Sequence, residues 1–443
     1  MKPILELNAF DANSTSALEE SLQARLRRRA KLFGAASVLF YDRPLEFVRG
    51  EGCWLYDAEG VGFLDAYNNV PAVGHCHPDV VAAASRQLGV LNVHNRYLHP
   101  GILDYAEALL ATLPGTLSNV TFTCTGSESN DLAVRMAAEF TGGVGVIVTE
   151  TAYHGNTALL SDLSPSSFAR AAPPPHVRTI PPPDSHRPGA EVADHFAAHV
   201  AAAIADLERQ GIKFSALLLD SIFSSDGVFA DPPGFLRAAV EVAHRAGGVL
   251  IADEVQPGFG RTGTSLWGFG RHGVVPDIVT FGKPMGNGYP LAAVVTRPSI
   301  LDAFCRHVGY FNTFGGSPVA AAVGLAVLEV IEREGLMQNA ARVGTYLKER
   351  LADLRLRHPA IGEVRGAGLY LGIELIQGGD AQPASALAKS VINGMRDRQV
   401  LIGAAGRFGQ VLKVRPPLCF SAAHADLLVA ALDETLQQTT RNS

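Results

Sequence analysis

A basic excess is missing from this 443-residue chain: 37 lysines and arginines stand against 43 aspartates and glutamates, a formal net charge of -6. With no surplus of cations to neutralise phosphates, the composition argues against a general nucleic-acid binder. The one concentrated basic run, Arg25 to Lys31, falls on a predicted N-terminal helix and reads as a solvated or subunit-contacting face. Cysteine is scarce as well. Cys53, Cys76, Cys124, Cys305 and Cys419 are odd in number and widely spaced. That pattern suits free, buried thiols in a reducing cytosol and not a disulfide framework. No uninterrupted apolar segment reaches membrane-spanning length. The opening stretch carries Glu6 and Asp11 without a long apolar run, so no signal or transit peptide is read and a cytoplasmic location is expected. Internal repeats are absent. His75 and His77 flank Cys76 but form an incomplete cage with no partner cluster at finger spacing, so a capping or packing role is expected and no metal.

What is present is ample material for a core: 47% of residues are hydrophobic and 18% charged, in a length that usually divides into two or more domains. From about residue 120, short apolar runs alternate with longer helical ones, the mark of crossover units in a mostly parallel sheet. Predicted strands are Val120–Cys124, Val144–Thr149, Ala216–Asp220, Val249–Asp253, Ile278–Phe281 and Ala292–Thr296. Several are almost wholly apolar, as strands covered on both faces must be. Helical patterns span Glu128–Glu139, Phe235–Ala246, Pro318–Glu334 and Asn339–Leu354. The proline-rich segment Pro173 to Pro188 reads as an irregular surface excursion. Gly50–Asp65 reads as a small hairpin, and the chain after Gly368 as a smaller α+β unit.

Three features at predicted strand ends form a chemical set. Thr125-Gly126-Ser127-Glu128 is a strand, a turn of small residues and a helix start, whose free N–H groups and Ser127 hydroxyl suit a phosphate, although small residues also serve merely as caps. Asp253-Glu254 ends an apolar strand, where a carboxylate needs a partner. That partner is either a cap or cation of the fold, or a pyridine nitrogen that the acid keeps protonated. Lys283 follows another apolar strand and is fixed among Gly282, Pro284 and Gly286. Most loop lysines are simply solvated. A desolvated one has a lowered pKa and can form an imine with an aldehyde, then act as a base. Phosphate cradle, pyridine carboxylate and imine lysine together are what pyridoxal phosphate requires of its protein.

At these residues the chain resembles the class III aminotransferases of pyridoxal-phosphate fold type I, from about Gly50 onward. The resembling strings are GSESND (126–131), YHG (153–155), IADEVQPGFGRTG (251–263), TFGKPMGNGYP (280–290), FNTFGG (311–316), RGAGLYLGIEL (365–375) and KVRPPL (413–418). The resemblance implies an α/β architecture: a large domain with a mostly parallel seven-stranded central sheet covered by helices, plus a smaller α+β domain built from both chain ends. The expected boundaries are 1–60, 61–330 and 331–443. It implies that Gly126 and Ser127 hold the cofactor phosphate, that Tyr153 stacks on one ring face and Val255 packs on the other, and that Asp253 binds the pyridine nitrogen. Gln256 would lie near the phenolic oxygen, Lys283 would carry the cofactor, and Thr313 would reach the phosphate from the neighbouring subunit, making a homodimer, which can pair further into a tetramer. His154 would order the loop beside Tyr153.

Two departures bear on the reaction. Lys413 stands where many transaminases of this class place a carboxylate-clamping arginine, and lysine is not equivalent to that planar fork. Asp220-Ser221 replaces the family's usual Glu-Pro pair, whose glutamate commonly helps switch the arginine between two substrates. The runs around residues 68–78, 94–100, 310–328 and 411–420 are similar to ethanolamine-phosphate and phosphohydroxylysine phospho-lyases within the class. The resemblance therefore implies elimination of phosphate from O-phosphoethanolamine or a related phosphorylated amino alcohol, with Arg96, Lys413 and Arg415 as candidate cations for the substrate phosphate. An ω-amino acid or amine transaminase using a 2-oxo acid is the alternative.

Overall fold

The computed structural model describes residues 7–12, 18–167, 172–183, 189–378 and 382–441. Its centre is a seven-stranded sheet of β4 (Asn119–Thr123), β5 (Gly145–Thr149), β6 (Val177–Ile180), β7 (Phe214–Leu219), β8 (Val249–Asp253), β9 (Ile278–Phe281) and β10 (Ala292–Thr296), in the spatial order β4-β10-β9-β8-β7-β5-β6. Only β10 runs against its neighbours; the β5–β6, β5–β7, β7–β8 and β8–β9 pairs are parallel. Every residue of β5, β7, β8, β9 and β10 is buried, which is why these strands carry apolar side chains on both faces instead of alternating. Because β10 is antiparallel to both β4 and β9, β4 shares the direction of the parallel set. The carboxyl ends of β4, β7, β8 and β9 therefore open on the same edge, where open α/β sheets bind ligands.

Two smaller sheets flank it. Strands β1 (Arg49–Glu51), β2 (Trp54–Tyr56) and β3 (Gly62–Asp65) form a meander whose β3 pairs in parallel with β14 (Val400–Leu401), so the two ends of the chain share a sheet. The other joins β11 (Ile361–Ala367), β12 (Tyr370–Gln377), β16 (Val411–Val414) and β15 (Gly403–Ala405), with β13 (Gln382–Pro383) added to β12. In that sheet Lys413 lies opposite Gly372 on one side and Gly403 on the other.

The helix Gly126–Thr141 starts where the sequence signals it. Thr125 Oγ1 accepts the Glu128 amide while the Glu128 carboxylate accepts the Cys124 and Thr125 amides, a reciprocal capping box worth about 1 kcal/mol. It ends at Gly142, whose φ of 65° is the left-handed stop that glycine takes without strain. Its inward face, from Ser129 through Ala137, packs on the central sheet.

Some expectations are corrected. The segment from Pro173 is not wholly irregular: Val177–Ile180 is the edge strand β6, paired with β5. Proline is tolerated next to an edge, since only one side of the strand needs amide donors. Residues 184–188 of that segment lie outside the described residues. The thiols are not uniformly buried, because Cys76 and Cys305 are exposed, while the Cys53 and Cys419 sulfurs approach to 3.4 Å. The basic run lies on the helix Glu20–Phe33, none of whose residues is buried. His77 caps the helix Pro78–Leu88 by accepting the Asp79 amide, and His75 meets Asp65 at 2.7 Å. Among the described residues no group of metal-binding side chains forms and no helix is long and apolar enough to cross a membrane.

Candidate active site

A cleft at the carboxyl edge of the central sheet is lined by Gly126, Ser127, Asn130, Tyr153, His154, Gly155, Asp220, Asp253, Val255, Gln256 and Lys283. Seven of these, Gly126, Ser127, Tyr153, Asp253, Val255, Gln256 and Lys283, are the cofactor residues expected from the sequence. They come from the ends of different strands, brought together because the strands point the same way.

Lys283 leaves β9 through Gly282 and takes a φ of 23°, a region that side-chain-bearing residues seldom occupy. It is half-buried. Burial first, and then the nearby Arg415 charge, lower its pKa to about 8. A substantial fraction of its amine is thus neutral near physiological pH, as an imine-forming lysine requires.

Asp253 ends β8 and is 4% exposed. Its Oδ2 accepts from Asn130 Nδ2 at 2.8 Å and meets His154 Nδ1 at 2.7 Å, and its Oδ1 accepts the Val255 amide at 3.0 Å. Thr280, directly opposite Asp253 across the β8–β9 pair, donates to Asn130 Oδ1 at 2.6 Å and so orients the Asn130 amide. The carboxylate is held by two partners on Oδ2 and one on Oδ1, which leaves a lone pair on Oδ1 for a further donor. Sequence reasoning placed His154 only as a loop-ordering residue and did not find Asn130. Both reach Asp253 across about a hundred residues of chain.

At the amino end of the helix Gly126–Thr141, the first-turn amides of Gly126 and Ser127 have no intrahelical acceptor. A Cβ on Gly126 would sit 2.8 Å from Val255 Cγ2, and one on Gly155 would sit 2.8 Å from Ser127 Oγ. Glycine is needed at both positions for this close approach, which leaves a cradle of backbone amides able to take an anion. Tyr153 is half-buried, and burial followed by the Asp253 charge raises its phenol.

Behind the cleft, Gln256 Oε1 accepts from Tyr370 Oη at 2.9 Å and from Arg415 Nη1, while Gln256 Nε2 donates to Ser224 Oγ at 2.7 Å. Arg415 also donates to the Tyr67 carbonyl at 2.8 Å, and its guanidinium lies 4.6 Å from the Tyr67 ring centroid. Lys413 is 4% exposed. Its ammonium has neither an ion pair nor a hydrogen bond among the described residues, and burial, then the Arg415 charge, depress its pKa well below the lysine range. Asp220 turns back on its own loop: it accepts the Ile222 and Ser224 amides, each at 3.0 Å, and the Ser224 hydroxyl. Neither cation is in direct contact with it.

Two expected residues lie elsewhere. Arg96 is exposed, with its guanidinium 3.8 Å from the Phe311 ring centroid, and Thr313 is exposed on the same loop as Phe311. Neither lines the cleft of its own chain. Around them Tyr97, Leu98 and Phe314 are 65%, 95% and 73% exposed.

The sequence profile of the class III aminotransferases matches residues 40–436. This chain belongs to that family. An ethanolamine-phosphate phospho-lyase homologue of Caenorhabditis elegans is 36% identical over the whole of both chains. An alanine–glyoxylate aminotransferase 2-like protein of Drosophila melanogaster is 39% identical over 96% of this chain and 89% of its own. A solved phospholyase from Arthrobacter, in complex with phosphoethanolamine, superposes with a TM-score of 0.90 at 44% identity, covering 93% of this chain and 99% of the other. The fold is that of pyridoxal-phosphate fold type I, and the cofactor of this class III enzyme is pyridoxal phosphate. The residues present fit it: an amide cradle that a Cβ would fill, a strand-end carboxylate with a lone pair to spare, and a lysine whose amine is readily neutral.

Proposed function

We propose that the enzyme is a phospho-lyase that eliminates phosphate from O-phosphoethanolamine or a related phosphorylated amino alcohol, giving, from the former with water, acetaldehyde, ammonia and phosphate. The observation that carries this reading is the pair of basic side chains behind the cleft, Lys413 and Arg415, neither in ion-pair contact with an acid among the described residues. A buried ammonium without a partner is costly, so Lys413 is biased towards its neutral amine in the free protein, and a dianionic ligand offsets the cost of protonating it. In a dual-substrate transaminase an acid within reach of the cation would be useful. Here Asp220 is committed to its own loop.

In this reading Gly126 and Ser127 hold the cofactor phosphate, Asp253 the pyridine nitrogen and Lys283 the aldehyde carbon, with Tyr153 and Val255 on the two ring faces and Gln256 beside the phenolic oxygen. Pyridoxal phosphate supplies an aldehyde that takes up the substrate amine and a ring that accepts the electron pair freed at the adjoining carbon. Asp253, fixed by Asn130 and His154, keeps the ring nitrogen protonated. Lys283 Nζ removes the proton from the carbon bearing nitrogen. The bond from the next carbon to the phosphate oxygen then breaks, and its electron pair leaves with the phosphate. Lys413 and Arg415 offset the negative charge that collects on that group, and the released enamine tautomerises and hydrolyses. A second copy of the chain supplies Thr313 to the cofactor phosphate, with Arg96 carried beside it towards the substrate phosphate.

The deciding experiment mixes purified holoenzyme with O-phosphoethanolamine and no keto acid, and assays inorganic phosphate. Release of phosphate with acetaldehyde is expected. No release, together with loss of the cofactor's visible band on adding simple amines, would establish the transaminase reading, which the aminotransferase name of the Drosophila relative favours.

A further inference from the structure

The loop between β7 and the helix Leu236–Arg245 contains a residue that the proposed reaction does not use. Ser224 lies wholly buried between Asp220 and Gln256. Its hydroxyl donates to Asp220 Oδ2, so its oxygen has only acceptor capacity left, and it spends that on Gln256 Nε2 at 2.7 Å. At the other end of the same amide, Gln256 Oε1 faces two donors, Tyr370 Oη and Arg415 Nη1. The chain of bonds therefore has one polarity throughout: the Asp220 carboxylate at one end, the Arg415 guanidinium at the other, and Ser224 and Gln256 between them.

We infer that Ser224 is a positioning residue that locks the amide of Gln256, and through it Arg415, so that the cation behind the cleft is fixed in place instead of being switched between substrates. This rests on the phospho-lyase reading for its consequence, though not for its geometry. An amide free to turn over would present its NH2 to the guanidinium and repel it. With Ser224 accepting from Nε2, only one orientation satisfies all three partners. The loop that offers Ser224 is built to stay put. Phe223 and Val228 on either side have φ of 50° and 67°, a left-handed conformation that bulky residues rarely adopt. Packing holds it: Phe223 is 1% exposed, with its ring 5.5 Å from that of Phe196 and 5.8 Å from that of Phe235. Such strain persists only where the surroundings over-determine it. The acid at the head of the loop thus acts on the arginine at a distance, through a hydroxyl and an amide, and among the described residues no carboxylate is in contact with the guanidinium.

The test compares Ser224→Ala and Ser224→Thr with the parent, each as holoenzyme. It measures phosphate release from O-phosphoethanolamine, the visible absorption of the bound cofactor against pH, and melting temperature. Ser224→Ala is expected to raise KM about tenfold with kcat changed less than about threefold. It should also move the pH midpoint of the visible band upward by about half a unit or more, because Gln256 no longer holds a donor steadily toward the phenolic oxygen. Ser224→Thr, which keeps the hydroxyl, is expected to restore both. Unchanged KM and midpoint in Ser224→Ala overturn the inference, and so does a loss that Ser224→Thr shares in full. Should Ser224→Ala not fold, Ser224→Cys, of nearly the same size but a weak hydrogen-bond acceptor, leaves the Asp220 charge in place and must reproduce the upward midpoint shift, an unmoved midpoint overturning the inference. If the parent releases no phosphate, the functional reading falls while the absorbance midpoint still decides the role of Ser224.

Discussion

Lys283 and Lys413 are both lysines drawn away from their ordinary protonation by burial, and the consequences differ because their neighbours differ. Lys283 faces the cleft, with its pKa lowered to about 8. The charged form predominates below that value and the reactive neutral amine above it. The rate at which apoenzyme takes up pyridoxal phosphate should therefore rise about tenfold per pH unit below pH ~8 and level off above it. Stopped-flow absorbance at the visible band measures this, and a rate still rising steeply at pH 10 would show an unperturbed lysine. Lys413 is set more deeply, with no partner for its ammonium among the described residues. Lys413→Met should raise KM for O-phosphoethanolamine by about tenfold or more, as expected for the loss of a charge-assisted contact. Thermal stability should not fall, because an apolar chain of similar length replaces an uncompensated buried amine. A variant with unchanged KM and lowered melting temperature would assign Lys413 to the fold alone.

Elements matter here through their ends. The helix Gly126–Thr141 and the turn after β9 approach so closely that a Cβ on Gly282 would lie 3.1 Å from Gly126 Cα, and one on Gly126 would press on Val255 at 2.8 Å. Gly126→Ala should weaken cofactor binding about tenfold or more by pushing Val255 into the space for the ring, at an overpacking cost of about 1–3 kcal/mol. Absorbance titration of apoenzyme with cofactor reads the first effect and thermal melting the second. The strand β8 carries a second acid past its end. Glu254 accepts the amides of Gly268 and Phe269 at 2.7 and 2.8 Å and the Ser221 hydroxyl at 3.3 Å, yet burial raises its pKa to about 8. A raised carboxyl means that the folded state holds the proton more tightly than the unfolded chain does. Its contribution is fully present below the unfolded value near 4.5 and is lost as pH rises towards 8. Glu254→Gln should lose less stability than the parent between pH 5 and pH 8. Parallel denaturation curves at the two pH values would refute this.

At the scale of the whole molecule, the exposed loops around Leu98 and Phe314 carry apolar surface beside Thr313 and Arg96, the residues proposed to serve a neighbouring cleft. Leu98→Glu should shift the protein towards monomer in light scattering and reduce phosphate release in proportion to the monomer fraction. A monomeric variant with full activity would show each cleft to be complete in one chain. The central sheet was legible where strands are buried on both faces: Val249–Asp253, Ile278–Phe281 and Ala292–Thr296 end where their apolar runs end. Val177–Ile180 was not legible, because four residues among prolines become a strand only when β5 lies beside them. Lys283 and Asp253 stood out because a charged residue at the end of an apolar strand demands a reason. Asn130, His154, Ser224 and Tyr370 did not, since each is an ordinary polar residue whose partner is remote in the chain. His154 reaches Asp253 across 99 positions, Asn130 reaches it across 123, and Tyr370 reaches Gln256 across 114. The local order of residues by itself thus determined the alternation of strands and helices, the candidate lysine and acid at two strand ends, and the lysine at position 413, because periodicity, capping and motif spacing are properties of neighbours. Only the tertiary structure decided that Asp220 turns back on Ser224, that Gln256 is gripped from both ends and that Lys413 has no partner for its amine among the described residues. Hydrogen bonds and desolvation depend on which distant groups share a buried volume, and that is fixed only when the sheets close over it.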